Sequence, residues 1–249
     1  MRSALVFTFL ALSTVLYFLV GIIPVLIALC LPKKHRGRWM RYIILYYGLW
    51  QIRVVFRPFF KIEFRPQPDE LTRQAGIYVF NHRSASDPFL VALFGKEVIQ
   101  IVNGWPMKLP FYGFFARLCE YIDATRTDFE QSLAHIGDLT SRGVSVMAFP
   151  EGTRSGNQSM NHFHSGIFRI ARELKLPIYP CAIAGNERLP DRSFRFHDDS
   201  LIIVEQLTPI SADEVAAAPT AYALKQRIHL AIAEASTKLD AEIASRIRI

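Results

Sequence analysis

The chain has 249 residues, 51% of them hydrophobic and 20% charged, with a formal net charge of +7. This is enough for one catalytic domain and a small appendage, and it excludes a disordered chain, which needs few apolar residues and a high net charge. The charge is lopsided: residues 1–65 hold ten Lys or Arg against a single acid, Glu63, while the rest of the chain nets −2, which also excludes a nucleic-acid-binding face on the folded domain.

Residues 4–31 form a run of 28 without a charged side chain. The apolar core of a signal peptide is only about 7–15 residues long, and this run leads into Lys33-Lys34-His35-Arg36. It reads as an uncleaved membrane anchor. As one helix rising about 1.5 Å per residue it exceeds the roughly 30 Å hydrocarbon core. It therefore tilts, or breaks near Gly21-Ile22-Ile23-Pro24 into a hairpin that dips into one leaflet. Residues 39–60 interleave Tyr, Trp and Phe with Arg41, Arg53 and Arg57, the composition of the membrane–water interface; the competing reading is a buried helix of the soluble part. Basic residues after an anchor put the remainder of the chain on the cytoplasmic face, and anionic headgroups attract them. Cys30, Cys119 and Cys181 are odd in number, far apart and set in apolar runs, so they are expected to be buried free thiols of a reducing compartment. The expected organisation is an anchor and interfacial segment over residues 1–60, then a catalytic domain over 61–249.

Beyond the anchor, strands and helices alternate. Strands are expected at 60–64, 77–80, 98–102, 119–122, 144–149, 178–184 and 201–204. A helix is expected at 88–94 with Asp87 as its N-cap. Another opens at a capping box, Thr127-Asp128-Phe129-Glu130, and a third covers 165–174. Leu224, Ile228, Ile232, Ala235, Leu239 and Ile243 make the stripe of a C-terminal amphipathic helix. The alternation predicts an α/β fold: a mixed sheet with helices on both faces, preceded by a membrane-anchor helix or helical hairpin.

Two stretches carry chemistry. Asn81-His82-Arg83-Ser84-Ala85-Ser86-Asp87-Pro88 leaves a buried strand, where ligand sites of open α/β sheets gather. The small residues between His82 and Asp87 allow a turn that brings the carboxylate back onto the imidazole. Asp87 would hold the ring's tautomer, and the other ring nitrogen would take a proton from a hydroxyl. The alternative is a structural loop histidine. Phe149-Pro150-Glu151-Gly152-Thr153-Arg154-Ser155 also comes directly after a strand. Gly152 permits close backbone approach and Arg154 offers a planar fork suited to phosphate; the alternative is a polar turn with an exposed Arg.

In order, these stretches resemble the 1-acylglycerol-3-phosphate acyltransferase family, which carries N-H-x4-D, then F-P-E-G-T-R-S, then an apolar P-I-x-P strand, here Pro177-Ile178-Tyr179-Pro180. Phe163-His164-Ser165-Gly166 matches a further F-x-x-G step. The resemblance spans about residues 76–185. It implies His82 as the base, oriented by Asp87, with Glu151, Gly152, Thr153 and Arg154 at the acceptor headgroup. It also implies an acyl-CoA or acyl-carrier-protein donor, no metal and no covalent acyl-enzyme. The implied reaction moves a fatty acyl group to a lipid hydroxyl, with 1-acyl-sn-glycerol-3-phosphate the leading acceptor. Other lysolipids or hydroxyl lipids, a thioesterase using the same pair on water, and a non-catalytic lipid-binding scaffold are the rivals.

Two departures bear on the phosphate. The family's Lys-rich step before Pro-x-x-Gly is Val102-Asn103-Gly104-Trp105 here, and its Arg after Ile-Asp is displaced to Arg126. Arg126 is therefore a candidate to rebuild the basic site beside Arg154. His162 and His164 lack a nearby third metal ligand, and Trp105 reads as a packing or interface aromatic.

Overall fold

Strands that pack on both faces read as unbroken apolar runs, and four such runs form the centre of this molecule. The computed structural model describes residues 2–197 and 201–247. In chain order these are α1 (Arg2–Cys30), α2 (Lys33–Gln51), a π-helical turn (Ile52–Phe56), β1 (Lys61–Arg65), β2 (Ile77–Phe80), α3 (Asp87–Leu90), a 3-10 turn (Val91–Phe94), β3 (Val98–Val102), α4 (Gly104–Met107) and α5 (Pro110–Leu118). Then come β4 (Ile122–Asp123), α6 (Phe129–Ser141), β5 (Ser145–Ala148), α7 (Gly166–Glu173), β6 (Ile178–Ala184), β7 (Leu201–Gln206), α8 (Ala212–Ala217) and α9 (Ala221–Ile247).

The strands form one sheet in the order β1-β7-β6-β2-β5-β3-β4. β6, β2, β5, β3 and β4 run parallel, while β7 is antiparallel to β6 and parallel to β1. The expected mixed sheet is thus present, with both reversed strands on one side. Alternate residues feed two cores. Ile77, Val79, Val146 and Ile178 face α6, α7 and α9. Tyr78, Phe80, Met147 and Tyr179 face α3, the π-helical turn and the N-terminal helices.

Several boundaries differ from those expected. Cys119 ends a helix, and the strand beyond it is only Ile122–Asp123. The cap of α6 is Asp128, whose carboxylate accepts from the Gln131 amide. The Asp128 carboxylate, one residue later, meets the free amides, and Thr127 stays outside the helix. The helix after the first motif begins at Asp87 rather than after it, with Ser86 as its N-cap, because the Asp87 carboxylate turns back into its own loop. Cys119 and Cys181 are buried free thiols, but Cys30 is exposed at the end of α1.

α1 does not break at Gly21–Pro24: it runs as one helix with Pro24 inside it. Proline costs one backbone hydrogen bond, and a membrane-type helix tolerates this where its neighbours support it. The hairpin turns instead at Leu31–Pro32, with α2 as the returning arm. Val6, Ser13 and Ala28 are buried along one flank. Ser13 bonds Gln51 and Thr14 bonds Tyr47 across the hairpin. The opposite flank exposes Leu5, Phe9, Leu12, Leu16, Leu19 and Ile23. α1 is long and apolar enough to cross a membrane, and this uncovered apolar flank associates the protein with a membrane.

Candidate active site

The parallel strands deliver their following loops to one edge of the sheet. β2 sits between β5 and β6, so the loop opening with Asn81 is flanked by the Glu151 loop on one side and by the end of β6 on the other. Asn81 anchors it. Its amide donates to the Ile183 carbonyl and accepts from the Ile183 amide, both at 2.8 Å, extending the β2–β6 ladder by one side chain.

The next residues form a tight turn around a buried carboxylate. Asp87 is fully buried. Its Oδ2 lies 2.6 Å from His82 Nδ1 and accepts the backbone amides of Arg83 at 2.8 Å and Ser84 at 3.0 Å. Its Oδ1 accepts from Asn186, the second residue past β6. Three of these four donors are fixed by the backbone or the loop itself, so the carboxylate cannot swing away without orphaning them. With a proton on Nδ1 toward Asp87, His82 Nε2 carries the lone pair. The imidazole packs against the Phe149 ring, with centroids 4.6 Å apart, and remains partly exposed. The arrangement orients one ring nitrogen and leaves the other accessible, the geometry that general-base chemistry requires.

Glu151 ties the two loops together. One carboxylate oxygen accepts from the His82 amide at 2.7 Å and the other from the Asn161 amide at 2.8 Å. Burial raises its pKa, against the pull of those two amides and of His82. Both oxygens face backbone, so its part in the site is to hold the loops rather than to meet a headgroup. Ser155 adds a second tie, its amide donating to the His82 carbonyl at 2.8 Å. Between these ties Gly152, Thr153 and Arg154 stand exposed. Gly152 has φ +71°, and a Cβ there would come to 3.2 Å of His164 Nε2, so the bend needs glycine. The Arg154 guanidinium lies 5.8 Å from the centroid of Phe194.

Arg126 is not brought to this loop. It comes after β4, two strands beyond β5, or about 10 Å at the usual strand spacing. Its side chain is 76% exposed, and its ion-pair partner among the described residues is Asp123 at 3.9 Å. A different arginine is present instead: Arg192, in the β6–β7 connection, donates to the Ser155 carbonyl.

Three contributors escape a reading of motifs. Asn186 bonds Asp87 from 99 residues away. Arg192 reaches the second motif from outside it; a local concentration of Arg188, Arg192 and Arg195 is its only sequence signal. Arg83, inside the first motif, has a fully buried side chain. Its guanidinium pairs with both oxygens of Asp240 on α9 at 2.7 and 2.8 Å, and with Glu187 at 3.3 Å. Burial opposes its charge, but Asp240 and Glu187 raise its pKa above the usual arginine value.

Known proteins resemble this chain in sequence and fold. A family model described as Acyltransferase matches residues 61–184, which include both loops. The chain belongs to the acyltransferase family. Similar curated members are 1-acyl-sn-glycerol-3-phosphate acyltransferases. That of Limnanthes alba is 28% identical over 154 residues, covering 59% of this chain and 54% of the relative. That of Saccharomyces cerevisiae is 24% identical over 207 residues, covering 78% and 65%. That of Escherichia coli is 25% identical over 159 residues, covering 62% and 64%. The match thus spans between about half and just under two thirds of these relatives. The crystal structure of the 1-acyl-sn-glycerophosphate acyltransferase of Thermotoga maritima superposes with a TM-score of 0.77 at 17% identity, covering 96% of both chains, which establishes the shared acyltransferase fold over nearly the whole length.

Proposed function

We propose that the protein transfers a fatty acyl group from an acyl thioester to the free hydroxyl of 1-acyl-sn-glycerol-3-phosphate, giving phosphatidic acid. The observation that carries this reading is the His82–Asp87 pair at 2.6 Å, with no partner for Nε2 among the described residues. His82 Nε2 takes the proton of the acceptor hydroxyl as its oxygen attacks the thioester carbonyl. The C–O bond forms, the C–S bond breaks, and the imidazolium returns the proton to the departing thiolate. The Asp87 carboxylate, held by four donors, stabilises the imidazolium. The acceptor oxygen is itself the nucleophile, so the site needs no activated Ser or Cys. The names of the curated relatives support the phosphate-bearing acceptor. Arg154 at the exposed bend supports it too, and Arg192 is the second cation we assign to the headgroup in place of Arg126. The donor is acyl-CoA or acyl-carrier protein, and the basic residues after α1 favour a cytoplasmic catalytic face.

The test is incubation of membranes holding the full chain with labelled acyl thioester and a panel of lysolipids. Label should pass to lysophosphatidic acid ahead of uncharged lysolipids. Preference for an uncharged lysolipid would replace the acceptor, and thioester loss without any lipid acceptor would replace acyl transfer by hydrolysis.

A further inference from the structure

We propose that α4 and α5 form a second lipid-contacting surface, which sets Trp105, Leu109, Phe111 and Phe114 into the interfacial zone of a bilayer containing anionic lipid, beside α1. Trp105 is 62% exposed and Phe111 83%, with Leu109 and Phe114 each more than two fifths exposed. Four large apolar side chains within ten residues exceed the scattered exposure of an ordinary soluble surface. No acidic residue occurs between Glu97 and Glu120, while Lys108 and Arg117 are exposed at the edges of the patch. Aromatic side chains flanked by basic ones suit anionic headgroups over acyl chains.

Continuity with α1 argues for a lipid rather than a protein occupant. Phe115 on α5 packs on Phe18 of α1 with ring centroids 5.1 Å apart, and Phe115 and Leu118 share a cluster with Tyr17, Val25 and Leu29. The outward apolar surface of α5 therefore adjoins the apolar flank of α1. The element is also held rigidly. Gly113 sits so close to the Met107 carbonyl that no side chain fits there, and Arg117 Nη1 donates to the same carbonyl at 3.2 Å. α4 comes after β3, which neighbours β5, so the surface opens onto the sheet edge that carries His82 and Glu151. A lipid acceptor can then reach the site from the bilayer without crossing water.

Tryptophan quenching tests the surface directly. A Trp39→Phe form of the full chain retains Trp50, which is half-buried and bonded to Ser13 at 2.7 Å, and Trp105. It is reconstituted into phosphatidylcholine–phosphatidylglycerol vesicles with or without brominated acyl chains. The emission contributed by Trp105 is the difference from a Trp39→Phe/Trp105→Phe form, and bromine should quench it. Equal Trp105 emission in both kinds of vesicle would overturn the proposal, including in favour of a second copy or a soluble partner on this face. Phe111→Ser should raise KM several-fold for a vesicle-borne acceptor and leave KM for a short-chain, water-soluble acceptor unchanged; equal effects on both would also overturn it. Quenching needs no turnover, so it stands or falls apart from the acyltransferase reading on which the kinetic measurement rests.

Discussion

The loops after β2 and β5 leave the sheet side by side, yet their polar atoms are committed differently. In the first, Asn81, Arg83, Ser84 and Asp87 are all buried and bonded on several sides. In the second, Glu151 and Ser155 are buried while the Gly152–Arg154 bend between them is exposed. A base must be oriented before the substrate arrives, because reorganisation during the reaction adds to the barrier. A headgroup site gains its partners only with the ligand. The first loop has the character of a preorganised base and the second that of a fixed frame with an open bend.

The contrast breaks most severely at His82. Removing a general base lowers turnover by about 10²–10⁴-fold, so His82→Ala should lower acyl transfer to that extent with the fold retained, at a modest loss of thermal stability because the mostly buried ring packs on Phe149 and bonds Asp87. Asp87→Asn keeps the shape but offers an amide where the Arg83 and Ser84 amides and His82 all need an acceptor. Turnover should fall with KM little changed, and loss of binding alone would move Asp87 out of the chemistry.

Next comes the pairing of Arg83 with Asp240. Removing one member of a buried ion pair costs about 3–5 kcal/mol. Asp240→Ala should lower the denaturation midpoint accordingly and loosen the first loop from α9. Asp240→Glu should recover part of the loss, and a shift no larger than that of a surface substitution would show that the first loop does not depend on α9.

Glu151 joins the two loops, and its effect is smaller. Glu151→Gln puts a donor against one of two backbone amides, at a cost of about 1–3 kcal/mol for the group left unsatisfied. Its pKa is raised in the folded state, mainly by burial. A carboxyl with a raised folded pKa binds its proton more tightly when folded. Its stabilising contribution is therefore full below the ordinary glutamate pKa and is lost as pH rises through the raised value. Denaturant titrations should show the wild-type advantage over Glu151→Gln shrinking from acid toward neutral pH. An advantage that grows over that interval would reverse the assignment of burial as the dominant cause.

Legibility from sequence divides along the same line. Both loops could be read because their residues are contiguous and sit just past apolar runs; the turn between His82 and Asp87 needs nothing beyond its own small residues. The five parallel strands were legible from apolar runs, apart from the short β4. The reversal of β7 was not, since pairing direction is a tertiary property that no local pattern encodes. Arg83–Asp240 and Asp87–Asn186 join residues 157 and 99 positions apart, and neither partner stands in a motif. The hairpin turn was misplaced for a related reason. Gly21 and Pro24 weaken a helix locally, but α1 runs on past them as one helix packed against α2, and the chain turns at Leu31–Pro32 instead.

The finest division between the two loops is at the exposed bend. A phosphate monoester carries about −1.5 to −2 charges near neutral pH, and its orientation normally draws on more than one charge-assisted contact. Arg154 supplies one cation at the bend. Arg126 lies two strands away against Asp123, whereas Arg192 is tied to the carbonyl of Ser155, the residue after Arg154. Arg192→Gln keeps a donor for that carbonyl and removes the charge. It should raise KM for lysophosphatidic acid by up to about tenfold, the equivalent of about 1.4 kcal/mol, while kcat and the KM for an uncharged lysolipid stay near wild type. Arg126→Gln should change neither constant. The reverse pattern, with Arg126 selective for phosphate and Arg192 silent, would mean that the bend is closed by a residue from β4, through a movement of that strand's loop when lipid binds. A uniform fall in activity for Arg192→Gln with every acceptor would instead mark it as a strut of the second loop, leaving Arg154 to meet the headgroup alone.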